Sequence, residues 1–235
     1  MDKRRLKNLI LYHLYSSKIL VGILLLILSI NLVLGIVLKG VPGPVGSIDA
    51  AAFIFGMFVG FELFKEAFTF SIINGISRKT YYLSNIVSTL MMSVFLGSVT
   101  AIVSLISFEF ADNIVLYSLL YSDDISGLFL WNFAVFFAMI SLFHFTSLLL
   151  YRVSKKIKYL IILGLALLAP LIVVLGIWFS GFQAVVQKFM LLFAGIYQTN
   201  EGVRISPYVS SAMLLFLSAV IVAVSWLLLR RIEAK

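Results

Sequence analysis

The sequence predicts an all-α integral membrane protein with six transmembrane helices. Of its 235 residues, 62% are hydrophobic and only 12% are charged, whereas a soluble domain is about 25% charged. The mean hydropathy is +1.12. A chain with so few charges cannot cover its apolar surface in water, so lipid must surround most of it.

Six stretches are long and apolar enough to cross the hydrocarbon core, which takes about 20 residues of helix. The apolar run that begins at Ile19 is too long for a cleaved signal peptide, and no Ala-x-Ala site follows it, so we expect a retained span. One transmembrane domain, 19–235, therefore contains predicted spans at about 19–38, 50–70, 86–106, 128–151, 159–179 and 208–229.

The basic residues predict the orientation. With the amino terminus in the cytoplasm, all but three of the 18 Lys and Arg residues lie in cytoplasmic segments; the exceptions are Lys39, Lys188 and Arg204. Basic loops remain on the cytoplasmic side of a membrane. We expect a multi-pass plasma-membrane protein with both termini in the cytoplasm. The net charge of +8 then reflects these loops, and no nucleic-acid partner is expected.

Two further segments are predicted to lie in the membrane without crossing it. Residues 1–18 form an amphipathic pattern that is typical of an interfacial helix on the inner surface; a basic topogenic tail is the alternative. Residues 180–207 predict a re-entrant helix in the outer leaflet, just before the sixth span. Its apolar side chains recur at three and four residues: Phe182, Val185, Val186, Phe189, Phe193 and Ile196.

Polar residues inside predicted spans are candidates for a cavity or gate, because charges in lipid are costly. Glu62 and Glu66 share a helix face at i, i+4, and Lys65 can pair with Glu62. A salt-bridged helix end is the alternative. Asn31 lies in the middle of the first span, where it either joins helices by a hydrogen bond or lines a passage.

Gly56 and Gly60 form a Gly-x-x-x-Gly pattern in the second span. Small residues at this spacing allow two helices to approach closely. We expect helix packing at these positions, either within the chain or between two copies of it.

The sequence predicts no catalytic site and no metal site. It has no cysteine and only two histidines. The P-loop, the Gly-x-Ser-x-Gly elbow and the His-Glu-x-x-His pattern are all missing. A membrane metalloprotease built on Glu62 and Glu66 would need further His or Asn ligands, for which only His144 and Asn31 are available. We therefore expect a protein without enzymatic activity or a cofactor of its own.

A short basic connector joins the second and third spans, within the stretch FSIINGISRKTYYLSN at 70–85. Gly75 is expected to break the preceding helix and Ser77 to cap the following one. Arg78 and Lys79 are then available to acidic groups of a partner or to lipid phosphates. Simple positive-inside anchoring is the alternative role for these two residues.

The order of these elements resembles the membrane subunit of ABC type-2 exporters, and NGISRKTYYLSNI is the local stretch that carries the resemblance. The resemblance implies a cytoplasmic coupling helix that docks on an ATPase subunit. It also implies two ATPase copies that bind ATP and magnesium, and a second permease copy or paralogue. By position, the docking residues are Asn74, Gly75, Ile76, Ser77, Arg78, Lys79 and Thr80.

The expected function is therefore that of a bacterial permease subunit, which exports a hydrophobic or amphipathic peptide, lipid or drug. The chain looks somewhat like permeases that export bacteriocin-type peptides and phenol-soluble modulins. Two alternatives remain open. One is a proton-coupled secondary transporter that uses Glu62 and Glu66, and the other is a membrane scaffold that transports nothing.

Overall fold

The computed structural model describes residues 3–39, 48–110, 115–121, 125–153, 188, 191, 193–199 and 202–230. The described elements are mostly helical. Two short strands pair with each other. In chain order the elements are α1 (Lys3–Ser16), α2 (Lys18–Val37), α3 (Ile48–Ile73), α4 (Arg78–Phe110), α5 (Leu116–Tyr121), a 3-10 turn (Ile125–Gly127), α6 (Leu128–Arg152), β1 (Ile196–Thr199), β2 (Gly202–Ile205) and α7 (Pro207–Leu229).

Within the described residues, four helical segments are long and apolar enough to cross a membrane: Lys18–Val37, Arg78–Phe110, Ile125–Tyr151 and Pro207–Leu229. They overlap the first, third, fourth and sixth predicted spans. The predicted second span lies within α3, and the predicted fifth span, 159–179, lies outside the described residues. The coarse prediction of a helical, membrane-embedded protein is confirmed.

Helix α6 is the central helix of the described bundle, and α3, α4 and α7 all pack against it. Glycines make two of these approaches close. A Cβ atom placed on Gly60 of α3 would lie 2.7 Å from Phe143 Cβ and 2.8 Å from the Ile140 carbonyl oxygen. A Cβ atom on Gly97 of α4 would lie 2.9 Å from the Phe133 amide nitrogen. Any larger side chain at either position would push α6 away.

The bundle has two distinct ends, and each is closed by its own apolar cluster. At the first, which we call the connector end, helices α1, α3, α4, α6 and α7 meet. Their buried contributions are Leu9, Ala67, Phe68, Tyr81, Leu148 and Leu229. At the opposite, or hairpin, end Tyr117 and Tyr121 of α5 pack edge-on against Trp131 of α6, with ring centroids 5.6 and 6.2 Å apart.

The hairpin end also joins distant parts of the chain. The backbone amide of Leu116 donates a hydrogen bond to the carboxylate of Asp49 at the start of α3. The Tyr121 hydroxyl donates to the Ala194 carbonyl oxygen at 3.0 Å. These contacts place the start of α3, α5 and the β-hairpin side by side.

The structure corrects the prediction of a re-entrant helix at its carboxyl end. The apolar spacing that predicts the helix runs to Ile196, but that residue lies in β1, which pairs antiparallel with β2. Gly195 ends the helical pattern because its φ is +71°. A side chain there would collide with the Ser206 carbonyl oxygen, since a Cβ atom would lie 2.1 Å from it. The turn into β1 therefore requires glycine.

Candidate functional site

The connector between α3 and α4 is a tight turn of four residues, 74–77, and it contains no separate helix. The prediction of a distinct coupling helix is therefore corrected. Gly75 takes a left-handed conformation with φ +65°. Its amide donates to the Ile72 carbonyl oxygen at 3.0 Å, and the Ile76 amide donates to the Ser71 carbonyl oxygen at 2.9 Å. This pair of bonds is the Schellman motif that ends a helix at glycine.

Ser77 begins α4 by capping its first turn. The Thr80 amide donates to Ser77 Oγ at 3.2 Å, and the two hydroxyl oxygens lie 2.9 Å apart in a further hydrogen bond. The side chain thus satisfies an amide that the first helical turn would otherwise leave without a partner. Both ends of the turn are consequently fixed, so the connector is a rigid corner between two helices.

The seven predicted docking residues divide into exposed and packed positions. Asn74, Gly75, Ser77 and Lys79 are exposed, whereas Thr80 is buried. Ile76 is half-buried and packs against the apolar cluster of the connector end.

Arg78 has a partner inside the chain. Its Nη1 atom donates to the Arg230 carbonyl oxygen at 2.7 Å, just beyond the end of α7. A cation at the carboxyl end of a helix is favourable, because the last carbonyl groups there carry partial negative charge. Arg78 therefore ties the start of α4 to α7, which leaves Lys79 as the exposed cation of the connector.

Helix α1 lies beside this corner with one side buried. Tyr12 stacks on Phe70 of α3 with ring centroids 4.8 Å apart. His13 is fully buried, and its ring lies 5.9 Å from that of Tyr81 in α4. Burial disfavours the charged imidazole and lowers the pKa of His13 to about 4. The opposite side of α1 is exposed, with basic residues near its start such as Lys7.

The remaining predicted residues lie elsewhere in the bundle. Positions 62–66 lie within α3, but the side chains of Glu62, Lys65 and Glu66 lie outside the described part of the structure. Asn31 is half-buried in α2 and donates to the Ile27 carbonyl oxygen of its own helix at 2.9 Å.

The Gly-x-x-x-Gly pattern faces α6 of the same chain. A Cβ atom on Gly56 would lie 3.3 Å from the Phe136 ring, and one on Gly60 would contact Phe143 and the backbone of α6. The close approach at these glycines is therefore intramolecular.

Sequence reasoning missed a polar and small-residue face on α4. Two rows of residues four positions apart are buried along this helix. One row consists of Tyr81, Asn85, Thr89, Ser93, Gly97 and Ala101, and the other of Ser84, Ser88, Met92, Leu96, Thr100 and Ser104. Rows at this spacing are the ridges by which helices pack. The regular placing of Asn, Thr, Ser, Gly and Ala within an apolar run was the signal that could have revealed them.

The polar centre of this face is a pair of side chains that joins α4 to α6. Asn85 Nδ2 and His144 Nε2 lie 3.1 Å apart within hydrogen-bonding distance, and both residues are at most 5% exposed. Asn85 lies six residues after Lys79 on the same unbroken helix, about 9 Å along its axis. Lys79 and Asn85 therefore lie on one continuous helix.

The described residues contain no cluster of three His, Asp or Glu side chains that could hold a metal ion. Comparison of the chain with protein-family models, with curated proteins and with solved structures found no match.

Proposed function

We propose that the chain is the transmembrane permease subunit of an ATP-driven exporter and that a separate ATPase moves it through the connector. The observation that carries this proposal is the connector itself. It is an exposed corner, capped on both sides and held by Gly75, at the end of the 33-residue helix α4. A flexible loop would absorb a push from a partner, whereas a capped corner transmits it.

The length of α4 favours transmission across the whole membrane. A helix of 33 residues is about 50 Å long, and the hydrocarbon core is about 30 Å thick. A displacement at Lys79 therefore moves the polar pair at Asn85 and the far end at Phe110 together. Arg78, through its bond to the Arg230 carbonyl oxygen, couples the same displacement to α7.

The interface between α4 and α6 suits a change of packing. At Gly97 the backbones approach closely, and the buried rows of α4 consist largely of small side chains. Small residues let two helices approach closely, and packed interfaces switch between discrete arrangements rather than deforming continuously. ATP binding to a partner would select one arrangement, and its hydrolysis would restore the other.

The proposed assembly contains two permease chains, as a homodimer or with a paralogue, and two ATPase subunits that bind ATP and magnesium. The cargo is a hydrophobic or amphipathic peptide, lipid or drug, since the chain offers a predominantly apolar and aromatic surface with 21 Phe residues. The connector end faces the cytoplasm of a bacterial cell in this proposal, because the basic residues of α1 lie there.

The test is co-purification of the tagged chain in mild detergent with a co-expressed candidate ATPase subunit. The wild-type chain should retain the ATPase at one-to-one stoichiometry, and Lys79→Glu should release it. Lys7→Glu is the matched control, since Lys7 is also exposed at the connector end but lies on α1. Failure of the ATPase to co-purify, or equal behaviour of the two variants, would overturn the proposal.

Transport activity separates the proposal from its main rival. An exporter of this type requires ATP and its ATPase in proteoliposomes. Transport that follows an imposed proton gradient without ATPase would instead favour a secondary transporter.

A further inference from the structure

Helix α1 and the first residue of α2 present a basic face on the side opposite to the bundle. Leu9, His13 and Ser17 are buried, because α1 packs against α3 and α4. A helix has about 3.6 residues a turn, so the opposite side carries its own row of residues three and four positions apart. All members of this row, which we call the basic face, are exposed: Arg4, Lys7, Leu11, Tyr15 and Lys18.

The basic face continues directly into the lipid-facing surface of α2. Ile19 and Ile23 follow Tyr15 at steps of four residues, and both are exposed. Helix α2 is long enough to cross a membrane, and only 17% of its most apolar stretch is buried inside the protein. Lipid therefore covers most of α2. Tyr15 is 67% exposed, as is Ile19, so the same lipid surface extends onto the end of α1.

Lys18 places a positive charge inside this lipid-facing row, at the junction of α1 and α2. Its Nζ atom lies 3.6 Å from the centroid of the Tyr15 ring, and the face of an aromatic ring attracts a cation. Neither α1 nor α2 contains an Asp or Glu that could pair with Lys18. Charges at the edge of the hydrocarbon core extend toward the headgroups, where phosphate oxygens accept hydrogen bonds from cations.

We propose that Lys18 and Tyr15 form the core of a binding site for an anionic phospholipid in the leaflet at the connector end. The Lys18 ammonium group donates hydrogen bonds to the lipid phosphate, and the Tyr15 ring lies beside the upper part of the acyl chains. A zwitterionic headgroup carries an ammonium group of its own, so it gains less from the positive potential of the basic face than an anionic one does. The inference depends on the exposure and charge of α1 and α2, and not on the proposed export function.

Charge also argues against a second copy of the chain as the occupant. A two-fold symmetric contact brings the same patch of both copies together. Two basic faces would then oppose each other, and neither α1 nor α2 offers a carboxylate to neutralise them. Anionic lipid supplies the missing negative charge.

The test measures which lipid lies beside α1 in a bilayer. The chain has no cysteine, so Leu11→Cys creates a single attachment point for a bimane fluorophore, one turn before Tyr15. The labelled full chain is reconstituted in phosphatidylcholine vesicles. A small share of the lipid carries a doxyl quencher high on its acyl chain, either as phosphatidylglycerol or as phosphatidylcholine. The ratio of quenching by these two lipids gives their relative binding at the basic face.

We expect phosphatidylglycerol to bind at least about fivefold more strongly than phosphatidylcholine, since one basic residue near an anionic headgroup contributes about this factor. Lys18→Gln should lower this preference about fivefold, and Lys18→Arg should preserve it. Lys39→Gln is the matched control, because Lys39 is exposed just beyond the other end of α2, and it should leave the preference unchanged.

Three outcomes would overturn the proposal. Equal quenching by the two lipids would show that the face does not select anionic headgroups. Quenching by neither lipid would show that the cytoplasm or a second copy of the chain covers the face. Equal effects of Lys18→Gln and Lys39→Gln, whether both lower the preference or neither does, would show that Lys18 is not the contact.

Discussion

Gly75 is the residue on which the shape of the connector depends most. Its φ is +65°, a conformation that costs an L-residue with a side chain about 1–2 kcal/mol. A Cβ atom there would meet nothing within 4 Å, so no steric clash adds to this cost. Gly75→Ala should therefore destabilise the protein by about 1 kcal/mol, purely through backbone strain.

A graded series of variants separates this strain from other effects. Gly75→Asn should recover most of the loss, because asparagine tolerates the left-handed region. Gly75→Val should lose more than alanine, since β-branched side chains tolerate it least. The midpoint of thermal unfolding in one detergent should fall by roughly 2–4 °C for each kcal/mol in a chain of this size. An alanine variant as stable as wild type, or less stable than the valine variant, would refute the left-handed turn.

Three further predictions follow from packing, hydrogen bonding and burial. Gly60→Ala should destabilise the fold by about 1–3 kcal/mol, because its methyl group overpacks against α6. Gly22→Ala is the control: the space around its Cβ is open, so it should stabilise α2 by about 0.5–1 kcal/mol. Melting temperatures of the two variants that shift in the same direction would contradict this prediction. Asn85→Leu should cost about 1–3 kcal/mol because it removes a buried partner of His144, and Asn85→Leu with His144→Phe should be more stable than Asn85→Leu alone in the same melting assay. The pKa of His13 is lowered from 6.5 to about 4 by burial, so the unfolded chain binds the proton first as pH falls. Stability should be complete above pH 6.5 and decline by up to about 3 kcal/mol toward pH 4, and His13→Phe should flatten that dependence.

The parts of the fold that follow from local chemistry could be predicted from the sequence. Hydropathy and length predicted a helical membrane protein, and four of the described helices are long and apolar enough to cross a membrane. The effects of Gly75 and Ser77 also depend only on neighbouring residues, and both are as their residue types suggest: the glycine adopts positive φ and the serine caps α4. The separate coupling helix, which the resemblance implied, does not follow from this local chemistry and is absent from the connector, where α4 begins directly at Arg78.

The parts that depend on distant contacts could not be predicted in this way. Ile196 continues an apolar helical pattern, and only the approach of Gly195 to Ser206 shows why the helix stops before it. The partner of Arg78 is the Arg230 carbonyl oxygen, 152 positions away. The Asn85–His144 pair likewise requires that α4 and α6 cross, which no local pattern specifies.

The most direct test of the proposed docking is a site-specific photo-cross-link from the connector. The chain has no cysteine, so Lys79→Cys creates a single attachment point for a benzophenone maleimide, and Lys7→Cys provides the matched point on α1. The proposal predicts a cross-link from position 79 to a cytoplasmic ATPase subunit, with a yield that changes on addition of ATP, and little or none from position 7. Absence of an ATPase among the products from position 79, or equal yields from both positions, would contradict the proposal that the connector is the docking site.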